Sequence, residues 1–109
     1  MNFKELKEID LSVNNISDIK VSEKVKFEKL EILNLDNNKI SDNINMLENM
    51  NLKKLKELSL SNNNISNIKV LEKVNFEKLE KLYLSWNKIL DINILENVNF
   101  KELKEKFIS

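Results

Sequence analysis

The segment LKELSLSNNNI, residues 55–65, determines the fold of this chain. Leu58 and Leu60 are two positions apart, so in an extended strand both side chains lie on one face and their polar neighbours on the other. Three further segments have the form Leu-x-x-(Ile/Leu)-x-Leu-x-x-Asn-x-Ile, with starts separated by 24, 25 and 24 residues: LKEIDLSVNNI (6–16), LEILNLDNNKI (30–40) and LEKLYLSWNKI (79–89). Such a period predicts a solenoid, because one copy cannot bury its apolar face without its neighbours.

Each copy carries one asparagine at the same place after its strand. An asparagine side chain both donates and accepts hydrogen bonds, so it can satisfy turning backbone that would otherwise be unpaired inside the protein. The sequence therefore predicts a structural asparagine ladder, formed by Asn14, Asn38, Asn63 and Asn87. Because the chain contains no glycine, we also expect asparagine to occupy bends that need a positive φ.

The second half of each copy has apolar residues at helical spacing. Ile68, Leu71 and Val74 follow one another in steps of three, which predicts a short helix or 3₁₀ segment that packs one stripe inward. Ser66 and Asp91 stand where a helix N-cap is expected. The second copy has one inserted residue near positions 42–43.

The pattern resembles the leucine-rich-repeat family, and is most similar to the short repeats of internalins and phosphatase regulators, although the period here is longer than theirs. The resemblance implies an α/β fold. We expect a right-handed solenoid with a parallel β-sheet on its concave face and short helices or 3₁₀ segments on its convex face. Residues 1–109 are expected to form a single leucine-rich-repeat domain, with repeats that start near Leu6, Leu30, Leu55 and Leu79.

The C-terminal segment allows two interpretations. Lys106 stands where a core leucine is expected, which indicates a degraded fifth strand, whereas Phe100, Leu103 and Phe107 share one helical face. From Leu103 onward the chain is thus either a partial fifth repeat or a C-terminal capping helix. No separate cap precedes Leu6, so a homodimer through uncapped solenoid ends is a further expectation.

Composition argues against several classes of function. The 18 bases, all lysine, balance 18 acids, so no net charge favours nucleic acid, and arginine is absent. Cysteine and histidine are absent too, which removes disulfides, ordinary zinc sites and Cys/His nucleophiles. We expect no cofactor, no metal and no catalysis, because an open sheet face does not shield a carboxylate pair. With no apolar run of membrane-spanning length and no signal-peptide core, we expect a cytoplasmic protein that does not contact membranes.

The outward-facing strand positions are the surface that a partner would meet. Tyr83 and Trp86 are the only tyrosine and tryptophan in the chain, and both fall in the fourth copy. Aromatic residues of this kind are enriched in interface hot spots, so we predict a protein–protein interaction module. The other predicted partner-binding residues are Lys81, Lys88, Asn34, Asp36, Ser59 and Asp10.

Three alternatives remain open at this point. Trp86 could instead fold over its turn as packing. The chain could be a structural spacer, or a truncated or simplified repeat array with no partner of its own. It could also be a regulatory segment of a larger protein.

Overall fold

The computed structural model describes residues 6–16, 27–74, 76–97 and 105–107. These residues form one sheet of parallel strands in chain order, β1 to β5. The strands are β1 (Glu8–Asp10), β2 (Ile32–Asn34), β3 (Glu57–Ser59), β4 (Lys81–Tyr83) and β5 (Glu105–Phe107). Consecutive strands can be parallel because the second half of each repeat carries the chain back to the start of the next strand.

The strands pair so that equivalent positions of successive repeats lie side by side. Ile9 is in register with Leu33, Leu33 with Leu58, and Leu58 with Leu82. The inserted residue of the second repeat does not disturb this register, because it lies in the 3₁₀ helix Ser41–Asn49 rather than in a strand. In the first four strands, each residue therefore pairs with the residue at the same position of the next repeat.

The three return segments that the structure describes contain 3₁₀ helices, as their three-residue apolar spacing predicts. They are Ser41–Asn49, Lys69–Glu72 and Ile92–Asn97, and neighbouring ones contact each other. The predicted cap residue Asp91 accepts the backbone N–H of Asn93 at 2.9 Å. In the third repeat the N-cap position is held by Ile68, which forms no side-chain cap bond, so the prediction for Ser66 is wrong. Asn67, one position before this N-cap, accepts the N–H of Lys69 at 2.9 Å.

The core is a continuous column of leucine and isoleucine side chains between the sheet and these helices. Leu58, Leu60 and Leu55 of the third repeat are fully buried, as are their counterparts in the second and fourth repeats. Each buried leucine contributes about 1.5–3 kcal/mol relative to an exposed one. In the first repeat Ile9 and Leu11 are only partly buried against the same core.

The C-terminal segment is a strand where the structure describes it. Glu105–Phe107 pairs with β4 in parallel, and Lys106 occupies the register position opposite Leu82. For these three residues the interpretation as a partial fifth repeat is confirmed, and the interpretation as a capping helix is wrong. Phe100 and Leu103, on which the helical interpretation also depended, lie outside the described residues.

Candidate functional site

The turn that follows each strand is held by its ladder asparagine. The side-chain amide of Asn63, which is fully buried, donates to the carbonyls of Leu60 at 3.0 Å and Ser61 at 3.1 Å in its own repeat. It also donates to the carbonyl of Leu35 in the preceding repeat at 2.9 Å. Its Oδ1 accepts the backbone N–H of Ile40, again from the preceding repeat, at 3.3 Å. One side chain thus connects the turns of two repeats.

The other ladder asparagines follow the same scheme. Asn38 and Asn87 each bond to carbonyls of their own and the preceding repeat. Asn14 is exposed and donates only to Leu11 at 2.8 Å and Ser12 at 3.1 Å, both in its own repeat. These bonds fix the path of the chain as it leaves the sheet, and so fix the side chains carried by these turns.

The residue before each ladder asparagine has a left-handed backbone. The φ angles are 55° at Val13, 58° at Asn37, 55° at Asn62 and 61° at Trp86. Asparagine tolerates this conformation, and the Asn62 amide additionally donates to the Asn37 side chain at 2.7 Å. Valine and tryptophan do not tolerate it well, at a cost of roughly 1–2 kcal/mol each.

Trp86 projects into solvent from this turn. Its side chain is 78% exposed, so the interpretation of Trp86 as packing over the turn is wrong. Leu90, at 87%, and Ile92, at 54%, are exposed in the same repeat. The fourth repeat therefore presents large apolar side chains to solvent, at positions where the third repeat has Asn62, Ser66 and the buried Ile68.

The outward face of the sheet forms a cleft of about 290 Å³. Tyr83 is half-buried and lines this cleft, which is also lined by Asn34, Asp36 and Ser59. The complete lining is Glu8, Ile32, Leu33, Asn34, Asp36, Glu57, Ser59 and Tyr83. Four of the predicted partner-binding residues are thus brought into one concavity.

Hydrogen bonds to the side chains of Asp36 and Asn34 hold the floor of this cleft. Asp36 accepts the hydroxyl of Ser59 and, at 2.7 Å, the backbone N–H of Ser61, so a carboxylate of the second repeat braces the third. Ser59 is buried, at 7% exposure, which gives its hydroxyl a role within the sheet. Asn34 in turn accepts the N–H of Asp36 at 3.0 Å.

The remaining predicted residues are not part of the lining of this cleft. Asp10 is in register with Asn34, and Lys81 is exposed on β4. The Ser12 hydroxyl, at 2.7 Å, and then the Ser12 backbone N–H lower the pKa of Asp10 from its ordinary value. Lys88 is exposed in the turn beyond Trp86.

The cleft is also lined by three residues outside the predicted partner-binding set, Glu8, Ile32 and Glu57. The strand period alone already places all three on the outward face of the sheet. Glu8 is in register with Ile32 and Ile32 with Glu57, and each of the three is two positions before a residue that was chosen.

The described part of the chain contains neither a candidate metal site nor a candidate membrane span. No group of three or more histidine, cysteine or acidic side chains there could hold a metal ion. No helix among those residues has the length and apolarity needed to cross a membrane.

Comparisons with known proteins agree with the architecture. The family model described as "Leucine Rich repeats (2 copies)" matches residues 4–49, and that described as "Leucine rich repeat" matches residues 28–89. Among solved structures, an internalin from Listeria monocytogenes is similar, with 32% sequence identity and a TM-score of 0.70. That similarity covers 87% of this chain but only 26% of the internalin. No curated protein matches the chain. The second family model spans more than half of the sequence, and the chain belongs to the leucine-rich-repeat family.

Proposed function

We propose that this chain binds another protein through the concave face of its sheet, with Tyr83 in the cleft and Trp86 in the turn that follows the strand of Tyr83. The observation that carries the proposal is the combination of strain and exposure at Trp86, which has a φ of 61° and is 78% exposed. The neighbouring repeats hold the turn in its left-handed conformation, and a large aromatic residue kept there, strained and exposed, supports a role outside the packing of the free chain. A partner that covers the indole removes its apolar surface from water.

The shape of the sheet suits a polypeptide partner. Five strands at a spacing of about 4.8 Å give a face roughly 20 Å wide. A face of this size supplies the ~800 Å² that one side of a standard protein–protein interface buries. The cleft accepts side chains of the partner, and its carboxylates, Glu8, Asp36 and Glu57, favour cationic ones.

The test uses variants that separate binding from stability. In Trp86→Asn, asparagine replaces tryptophan at the position where Asn37 and Asn62 adopt the same backbone. We expect this variant to be more stable by about 1 kcal/mol and to lose the partner that wild-type protein retains from a lysate of the source cells. Tyr83→Ser copies Ser59, its counterpart in β3, and is expected to weaken retention as well.

A matched control changes the convex side. Lys69→Ala/Lys73→Ala alters two exposed residues at the Lys69–Glu72 helix and its C-cap, and should retain the partner fully. Loss of stability in Trp86→Asn would assign the indole to packing. Full retention by both concave-face variants would contradict the proposed surface. A monomer in sedimentation that retains no protein at all would favour a structural spacer instead.

A further inference from the structure

A second concavity lies at the end of the sheet where the strands begin, that is, at the N-terminal ends of the strands. It is a groove of about 310 Å³, here named the lysine groove, and it shares no lining residue with the concave cleft. Its lining consists of Lys7, Lys29, Glu31, Lys54, Lys56 and Lys78. Trp86 lies at the opposite end of the sheet, just after the C-terminal end of β4.

The repeat places these lysines in rows. Lys29, Lys54 and Lys78 each directly precede the first core leucine of a repeat, so they occupy one position on three neighbouring repeats. Lys7 and Lys56 directly follow such a leucine. Equivalent residues of adjacent repeats are about 4.8 Å apart at the sheet, so the row of Lys29, Lys54 and Lys78 brings like charges close together. In the other row Glu31 occupies the repeat between Lys7 and Lys56.

The backbone under the groove is fixed by hydrogen bonds between repeats. The carbonyl of Lys7 accepts the N–H groups of Glu31 at 2.7 Å and Ile32 at 3.0 Å. The carbonyl of Glu31 accepts those of Lys56 at 2.8 Å and Glu57 at 3.0 Å. The groove is therefore formed before any ligand arrives, although the lysine ends themselves can move.

The charge of the groove differs from that of the whole chain. Five lysines and one glutamate line it, a formal charge of +4, whereas the chain as a whole is neutral. Glu31 forms an ion pair with Lys56 at 3.3 Å. Within the described residues, no ion pair joins Lys54 or Lys78 to an acidic side chain, so both ammonium groups are available to an anionic ligand.

We propose that the lysine groove binds an acidic segment of a protein. Lysine stems form apolar walls and hold their ammonium groups at the rim, so a glutamate side chain can place its methylenes against the stems and its carboxylate at the rim. The groove spans three repeats, which suits a few residues of peptide rather than an extended polyanion. The neutral chain also lacks the broad positive field that nucleic-acid binding uses.

The test measures the anisotropy of a fluorescein-labelled hexaglutamate peptide, titrated with the full chain at low salt. We expect binding that weakens as salt is added. Lys54→Gln/Lys78→Gln should weaken it by about tenfold, since it removes two charges from the rim. Lys69→Gln/Lys73→Gln removes the same charge from the convex side and should change it by less than about twofold.

Several outcomes would overturn the proposal. These are absence of binding to the wild-type chain, equal weakening in both double variants, and tighter binding of a labelled hexathymidine than of hexaglutamate. Circular dichroism melting of every variant confirms folding, and Lys54→Ala/Lys78→Ala gives a second neutral pair if the first is unstable. Because Trp86→Asn leaves the groove unchanged, it should bind hexaglutamate normally, which separates this result from that of the concave face.

Discussion

At the residue scale, one position in the turn after each of the first four strands has a left-handed backbone, and the residue types found there differ in how well they tolerate it. The two central repeats meet the demand with Asn37 and Asn62. The outer ones use Val13 and Trp86 at φ angles of 55° and 61°. A β-branched residue in this conformation is a genuine outlier, so the first repeat contains strain that a substitution can remove.

Val13→Asn should therefore stabilise the protein. Valine at this site is 75% exposed, so its replacement loses little packing. The relief of left-handed strain should raise the free energy of unfolding by about 1 kcal/mol, seen as a higher denaturant midpoint at an unchanged m-value. Val13→Thr keeps the branched side chain and should give no gain; an equal gain there would mean that exposure, rather than backbone strain, is responsible.

Asp10 provides a prediction about pH. Since hydrogen bonds from Ser12 stabilise its carboxylate, its folded-state pKa lies below the ordinary 3.8. The contribution of this carboxylate to stability is present above that value and is lost as pH falls through the lowered pKa. Titration followed by ¹³C NMR should show the low midpoint, and Ser12→Ala should raise it. Ser12→Thr retains a hydroxyl and should leave it low; a rise in that variant as well would remove the hydroxyl as the cause.

At the element scale, the repeats are joined by side chains as well as by the sheet. The ladder asparagines bond to carbonyls of two repeats, and Asp36 braces Ser59 and Ser61 of the next. The inserted residue is absorbed in the return helix Ser41–Asn49, where Ser41 takes a φ of 50°. Strand spacing and ladder are therefore unchanged by a return segment of a different length.

Asn63→Ala should reveal how much one ladder position contributes. The substitution leaves the buried backbone N–H of Ile40 without its acceptor and removes one of the two side-chain donors from each of the carbonyls of Leu35 and Leu60. We therefore expect a loss of about 1–3 kcal/mol in chemical denaturation. Asn14→Ala is the matched control: Asn14 is exposed and bonds only within its own repeat, so its loss should be below about 1 kcal/mol. Equal losses would show that contact between repeats adds nothing to this position.

At the scale of the whole molecule, stability is distributed unevenly along the solenoid. Each repeat contacts its neighbours, and burial is complete in the second and third repeats but partial at Ile9 and Leu11 in the first. A quasi-one-dimensional protein of this kind opens most easily where its neighbour contacts are fewest. The first repeat is one such place among the described residues, because β1 has a neighbouring strand on one side only and Ile9 and Leu11 are only partly buried.

Two substitutions at one register position test this gradient. Leu58→Ala, in the fully buried third repeat, should cost about 2–5 kcal/mol. Ile9→Ala removes a similar volume from the half-buried first repeat and should cost less than half as much. Native-state amide exchange should likewise be faster in β1 than in β3. Equal costs with uniform exchange would mean that the sheet unfolds as one unit without fraying.

The sequence pattern predicts some features of the fold residue by residue and misses others. The positions of Leu33, Leu58 and Leu82 follow from period two, and the ladder follows from one asparagine per copy, because both patterns are local and repeat along the chain. The expectation that asparagine would take the left-handed positions holds for Asn37, Asn62 and Asn64, but Val13, Ser41 and Trp86 share that conformation. At these three positions the neighbouring repeats impose the turn geometry, and the conformational preference of the residue itself is too weak to change it.

The sequence by itself determined the repeat, the parallel sheet, the buried face and the place of the asparagines, since each depends on spacing along the chain. Only the tertiary structure decided that residues 105–107 continue the sheet, that Ser59 turns its hydroxyl to Asp36, and that Trp86 is exposed rather than packed. It also brought Lys7, Lys54 and Lys78 to one groove. These features depend on which residues of different repeats meet, and stacking fixes that only when all the repeats are in place.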